Sequence, residues 1–209
     1  MRTLLQKSFA EAHSKNAIAA RRPRVFAARC LAVALAALAI PSAHAQDASH
    51  DKHFAPTATM SPLIDKVRIA TAKYLDINAA VNDGWVRGTP CVSGPNSGAM
   101  GVLFIMPSRV GEGTLNANEP EALIYEPLPN GAVRLVGVEF IVIASDWAKL
   151  HPEGGSPSLD GHLTNFVDEP NRYGLPAFYE LHVWAWQQNP NGNFADWNTR
   201  VTCENQAAQ

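Results

Sequence analysis

The sequence predicts an α+β domain, a curved antiparallel sheet packed against one long N-terminal helix. Three observations carry this. Between positions 61 and 84 apolar residues recur at three- and four-residue steps, the period of a helix with one buried face. From Gly98 onward the pattern changes to short apolar or alternating runs broken by Gly, Pro and Asn, as strands and turns require. One helix followed by sequential strands, with a hairpin among them, is an α+β order rather than the βαβ alternation of a parallel sheet.

The first 45 residues stand apart from this domain. Arg21, Arg22, Arg24 and Arg29 form a basic segment, and an apolar run from Cys30 to Ile40 follows. Pro41 breaks the run, and Ala43-His44-Ala45 offers small residues where a signal peptidase reads. The run is about half the roughly 20 residues a spanning helix needs, so residues 1–45 read as a cleaved signal peptide. Arg21-Arg22 is a weak match to a twin-arginine leader, because Pro23 and Arg24 fit that pattern poorly. Polar, aperiodic residues 46–60 read as a disordered tail, and 61–205 as a single domain.

The whole chain has 209 residues and a formal charge of −2, but that average hides the leader. Seven of the 17 basic residues (Arg2, Lys7, Lys15, Arg21, Arg22, Arg24, Arg29) and only Glu11 of the 19 acids lie in residues 1–45. The remaining 164 residues carry 10 basic and 18 acidic groups, a formal −8. Such a surface repels phosphate backbones and anionic lipid, which argues against a nucleic-acid partner. No membrane span is expected once the leader is removed. Cys30 leaves with the leader, so Cys91 and Cys203 remain as one possible disulfide, against the alternative of two free thiols. Together these features predict a periplasmic or secreted protein.

Within the domain, Ser61 is a good N-cap and Pro62 suits the first helical position. Ile64, Val67, Ala70, Tyr74, Ile77 and Val81 form the predicted stripe, and Asn82-Asp83-Gly84 ends it. Residues 99–106 are a continuous apolar run, expected as a strand buried on both faces. Residues 107–119 read as a loop, 121–128 as a second strand, Pro129-Asn130-Gly131 as a hairpin turn and 133–143 as a third strand. A short helical turn is expected at 145–150 and a long loop at 151–176, a length often associated with function. Phe178 to Trp186 reads as a fourth strand, Asn189 to Gly192 as a turn, and 194–203 closes the chain.

Strand alternation exposes two anomalies. In the third strand Val133, Leu135, Gly137, Glu139, Ile141 and Ile143 are expected on one face, so Glu139 sits mid-strand among aliphatics. A buried carboxylate there needs a partner or takes up a proton, and Arg134, Arg172 and Arg200 are candidate partners. In the fourth strand Phe178, Glu180, His182, Trp184 and Trp186 are expected on one face, combining ionisable groups with large aromatics as a pocket wall would. The candidate binding residues are therefore Glu139, Glu180, His182, Trp184 and Trp186. A divalent metal is the candidate cofactor, with Glu139, His182 and His162 as its ligands. The bland alternative is a core histidine bonded to a carbonyl and tryptophans that only fill space. No Gly-x-Ser-x-Gly elbow, phosphate-cradling glycine loop or zinc-type Cys/His spacing is present.

Several stretches occur together: Gly98-Ala99-Met100-Gly101, Pro120-Glu121-Ala122-Leu123-Ile124-Tyr125-Glu126-Pro127, Val138-Glu139-Phe140, and Leu181-His182-Val183-Trp184-Ala185-Trp186 before Asn189-Pro190-Asn191-Gly192. With Phe194, Trp197-Asn198 and Cys203 they cover roughly residues 62–203. In this combination the chain resembles a family of uncharacterised exported bacterial proteins with no established activity. The resemblance implies that Glu139 and His182 belong to a recurring constellation. It also implies a histidine two residues after Gly-Ala-Met-Gly, where this chain has Leu103. Three functions are thus open: an exported module binding a small molecule or metal ion, a periplasmic enzyme using His182 with Glu139 or Glu180, and an envelope structural or interaction protein without a ligand.

Overall fold

The computed structural model describes residues 61–206; the predicted leader (1–45) and tail (46–60) lie outside the described residues. It is a mixed fold of short helices and antiparallel sheet.

The first element, α1 (Pro62–Thr71), has Pro62 in its first turn and buries Leu63, Ile64, Val67 and Thr71. The expected single long helix is broken, which corrects the sequence reading. A 3₁₀ turn (Ala72–Leu75) follows, then Asp76 goes extended and its side chain accepts the Asn78 N–H, capping a separate α2 (Ile77–Asn82). That cap is a stronger local signal than the continuing apolar stripe. The break re-aims the last turn, so Ala80 is buried and Val81, expected in the stripe, is 54% exposed. Gly84 takes the left-handed conformation (φ 95°) and lets Trp85 fold back, edge-on to Tyr74 with ring centroids 5.3 Å apart.

The strands are β1 (Val86–Arg87), β2 (Val92–Gly94), β3 (Gly98–Ile105), β4 (Ala122–Pro127), β5 (Val133–Ile143), β6 (Ser158–Leu159), β7 (His162–Leu163), β8 (Asn165–Val167) and β9 (Phe178–Val183). Seven of them form one sheet in the order β1-β3-β4-β5-β9-β8, with β2 also on β3; β6 and β7 form a separate hairpin. The stretch 151–176, expected as plain loop, therefore contains a hairpin and an edge strand. The short helix after β5 is α3 (Ala144–Leu150). The β4–β5 turn holds Asn130 at φ 63° and Gly131 at φ 76°, the conformation these two residues tolerate best.

Two apolar layers cover the two sheet faces. One joins the helices to Leu123, Tyr125, Leu135, Val138, Phe140, Leu181 and Val183. The other joins Leu103, Ile105, Ile124, Val136, Ile141 and Phe178 to Tyr173 and Leu175 of the 168–177 loop. A bulge in β5 decides which residue goes where. Ile124 pairs with Gly137 but Tyr125 pairs with Leu135, so Val136 is the extra residue. Simple alternation put Leu135 with Glu139; the bulge moves Leu135 to the helix side and Val136 to the opposite one.

The same bulge ends β9 early. The Val136 carbonyl accepts the N–H groups of both Trp186 (3.1 Å) and Gln187 (3.0 Å), and the chain turns after Val183 instead of continuing to Trp186. Cys91 and Cys203 are bonded, with Cα atoms 5.6 Å apart across 112 positions. Among the described residues no helix is long and apolar enough to cross a membrane.

Candidate functional site

Pairing of β5 with β9 builds the site. Glu139 lies directly opposite His182, and Ile141 opposite Glu180. With two-residue alternation, Glu180 and His182 share a face with Glu139. Each of the three can present one ligand atom such that all lie within 4.8 Å of one another. His182 Nε2 is 3.8 Å from Glu139 Oε2. His182 is 0% exposed, Glu139 1% and Glu180 5%.

Several polar atoms of these groups are buried without a hydrogen bond. Glu139 Oε2, Glu180 Oε2 and both ring nitrogens of His182 have no partner in the protein. Each such atom ordinarily costs about 1–3 kcal/mol. The arginines expected as partners for Glu139 are engaged elsewhere. Arg134 pairs with Glu126, whose other oxygen accepts the Thr202 N–H. Arg172 sits over the Trp197 ring at 5.5 Å, and Arg200 donates to Gln188. The bland alternative for His182, a ring bonded to a backbone carbonyl, is not what the fold provides.

The electrostatics follow from burial. Removal from water pushes Glu139 well above the carboxylate range, and the neighbouring Glu180 pushes it further. Burial raises Glu180 to about 7; a proton shared from Glu139, and the charge of Arg172, pull against that rise. Burial lowers His182 to about 4, while Asp196 works in the opposite direction. Metal-free, the cluster at neutral pH thus holds a neutral imidazole beside a carboxyl pair that resists double ionisation.

The surroundings are apolar. A small cavity of about 10 Å³ is lined by Glu139 with Leu103, Ile105, Ile141, Tyr173, Leu175 and Phe178. That is room for about one water. Tyr173 lies close enough for Glu139 and Glu180 to raise its own pKa, after the larger effect of burial, and its hydroxyl contacts Met100 Sδ at 3.8 Å. Leu103, which stands where the resemblance implied a histidine, lines this same cavity, so a histidine there would face Glu139. Trp184 lies near-parallel to the His182 ring at 6.2 Å, and its indole N–H donates to the Ala195 carbonyl.

Two expected site residues are elsewhere. Trp186 follows the turn after β9 onto the helix face, where its N–H donates to Thr71 Oγ1 at 3.0 Å. His162 is outside the cluster: its ring stacks on Phe194 at 3.8 Å and its Nε2 lies 3.1 Å from Ser61 Oγ. The third candidate ligand is therefore Glu180, not His162. Tyr173, Asp196 and Glu121 were missed by the sequence reading. The first two lie on loops without periodicity. Glu121 is buried just before β4, where its carboxyl accepts the Ile141 N–H and burial lifts its pKa to about 8.

No protein-family model, curated protein or solved structure matches this chain.

Proposed function

We propose that this is an exported domain that binds a divalent transition-metal ion between Glu139, Glu180 and His182. The observation that carries this is the concentration of unpartnered buried polar atoms in one place: four belong to these three residues, and one ligand atom from each lies within 4.8 Å of the others. Two carboxylates and a neutral imidazole suit a first-row divalent cation. Such an ion would offset the repulsion between the carboxylates and give the orphaned atoms partners. Metal affinity and carboxyl ionisation would then be linked. The adjacent cavity of about 10 Å³ is far below the roughly 300–1,000 Å³ of a typical small-molecule pocket, which favours an ion over a larger ligand. The same limit weighs against an acid–base enzyme acting on a substrate held between His182 and Glu139. Export is supported by the leader-like residues 1–45 and by the Cys91–Cys203 bond, which an oxidising compartment maintains.

The test is titration of the chelator-treated protein with zinc and with manganese, beside the His182→Ala and Glu139→Gln variants. The wild type is expected to bind one ion and both variants to lose that site. Glu139→Gln keeps a hydrogen-bond donor toward Glu180, so its fold should persist. A wild type that binds neither ion, or variants that bind as well as it does, would refute the proposal.

A further inference from the structure

We infer that Asp196 is a positioning residue for this site, accepting the Nδ1–H of His182 when Nε2 holds the metal. This inference rests on the metal reading above and adds a residue that the three-ligand cluster does not contain.

The ring nitrogens of His182 face two different carboxylates. Nε2 points to Glu139 at 3.8 Å, and Nδ1 points to Asp196 Oδ1, also at 3.8 Å. Both nitrogens are buried and unpartnered. A neutral imidazole carries one proton, so Nε2 can serve as ligand only if that proton is on Nδ1. Metal-bound histidines almost always donate the remaining N–H to a carboxylate, carbonyl or water, which fixes both tautomer and ring angle. Asp196 is the acidic group standing in that direction.

Its loop is held so that the carboxylate cannot swing freely. Asn165 Nδ2 donates to Asp196 Oδ1 at 2.8 Å from the edge strand β8. The preceding residue, Ala195, accepts the Trp184 indole N–H, and Asn193 accepts the Trp184 backbone N–H at 2.9 Å. Trp184 is only two residues from His182, so one short segment carries the histidine and anchors the loop that orients it. The 36% exposure of the Asp196 side chain leaves it room to move the fraction of an ångström to hydrogen-bond range. Trp184, expected from the sequence to line a binding face, thus acts through Asp196 rather than by touching the ion.

Zinc affinity, measured by chelator competition on the full exported protein, tests this for wild type, Asp196→Ala and Asp196→Asn. Asp196→Ala should weaken zinc binding by about 10–100-fold. Asp196→Asn keeps an oxygen acceptor and should recover part of that loss. Nitrogen-15 NMR of the zinc-loaded protein should show a slowly exchanging His182 Nδ1–H in the wild type and in Asp196→Asn. It should be absent in Asp196→Ala, a signature that loss of loop stability alone would not give. Wild-type affinity in Asp196→Ala, or persistence of that N–H signal there, overturns the positioning role alone. A wild type without zinc binding overturns this role together with the metal reading.

Discussion

At the residue scale, Glu139 and His182 show how alternation along a strand can reveal an anomaly without revealing its resolution. A carboxylate amid valines and isoleucines was visible in the sequence, as was a histidine between leucine and valine. Their exact cross-strand pairing was not, because alternation assigns each side chain a face but leaves open the register of β5 against β9, which sets Glu139 opposite His182. The ionisation of these residues makes a prediction about pH. Glu180 at about 7 and Glu121 at about 8 lie above the ordinary carboxylate value, and Glu139 is raised as well. Each favours the fold while protonated, and that contribution is lost as pH rises through its folded value. His182 runs the other way: at about 4 against an ordinary 6.5, its contribution is complete above 6.5 and lost as pH falls through 4. Between 6.5 and 8, therefore, only the carboxyls act. Urea denaturation of the chelator-treated protein should show stability falling as pH is raised across that interval. A flat or rising profile would contradict the burial of ionisable carboxyls described here.

At the scale of elements, the strand order was legible and the ends of elements were not. β3, β4 and β5 fall within one residue of their predicted bounds, because continuous apolar runs between turn residues are unambiguous. The first helix and the last strand were both drawn too long. In each case a local polar contact stops an element that the apolar pattern would continue: the Asp76 cap for the helix, the Val136 carbonyl for β9. The second error moved Trp186 to the wrong face. Much of the motif that carried the family resemblance turns out to be scaffold. A side chain at Gly98 would approach the Asn198 carbonyl within 2.1 Å, and the Tyr125 hydroxyl donates to the Tyr74 carbonyl at 2.6 Å. Trp186→Phe tests the corrected placement. It should cost about 1 kcal/mol for the lost Thr71 hydrogen bond, read as a lower denaturation midpoint. It should leave zinc affinity unchanged, since the ring lies on the helix side. A large loss of affinity with no loss of stability would return Trp186 to the site.

At the scale of the whole molecule, the described domain is built on one seven-stranded sheet with an apolar layer on each face, and the ionisable cluster sits on the face opposite α1 and α2. The disulfide was legible because removing the leader leaves only two cysteines. In the chain-entropy account a loop of this length contributes about 4–5 kcal/mol. That is enough to tolerate a few orphaned polar atoms at about 1–3 kcal/mol each. The cluster itself was only half legible. Glu139, Glu180 and His182 lie on strands and betray themselves by alternation, whereas Tyr173 and Asp196 reach it from loops whose path depends on tertiary contacts. The central claim, that Glu139, Glu180 and His182 share an ion, is tested most directly by anomalous diffraction from a crystal grown with zinc. The account predicts one strong peak about 2.0–2.2 Å from His182 Nε2 and from a carboxylate oxygen of each glutamate. Ordered side chains with no peak between them, or zinc found only at surface groups, would contradict it.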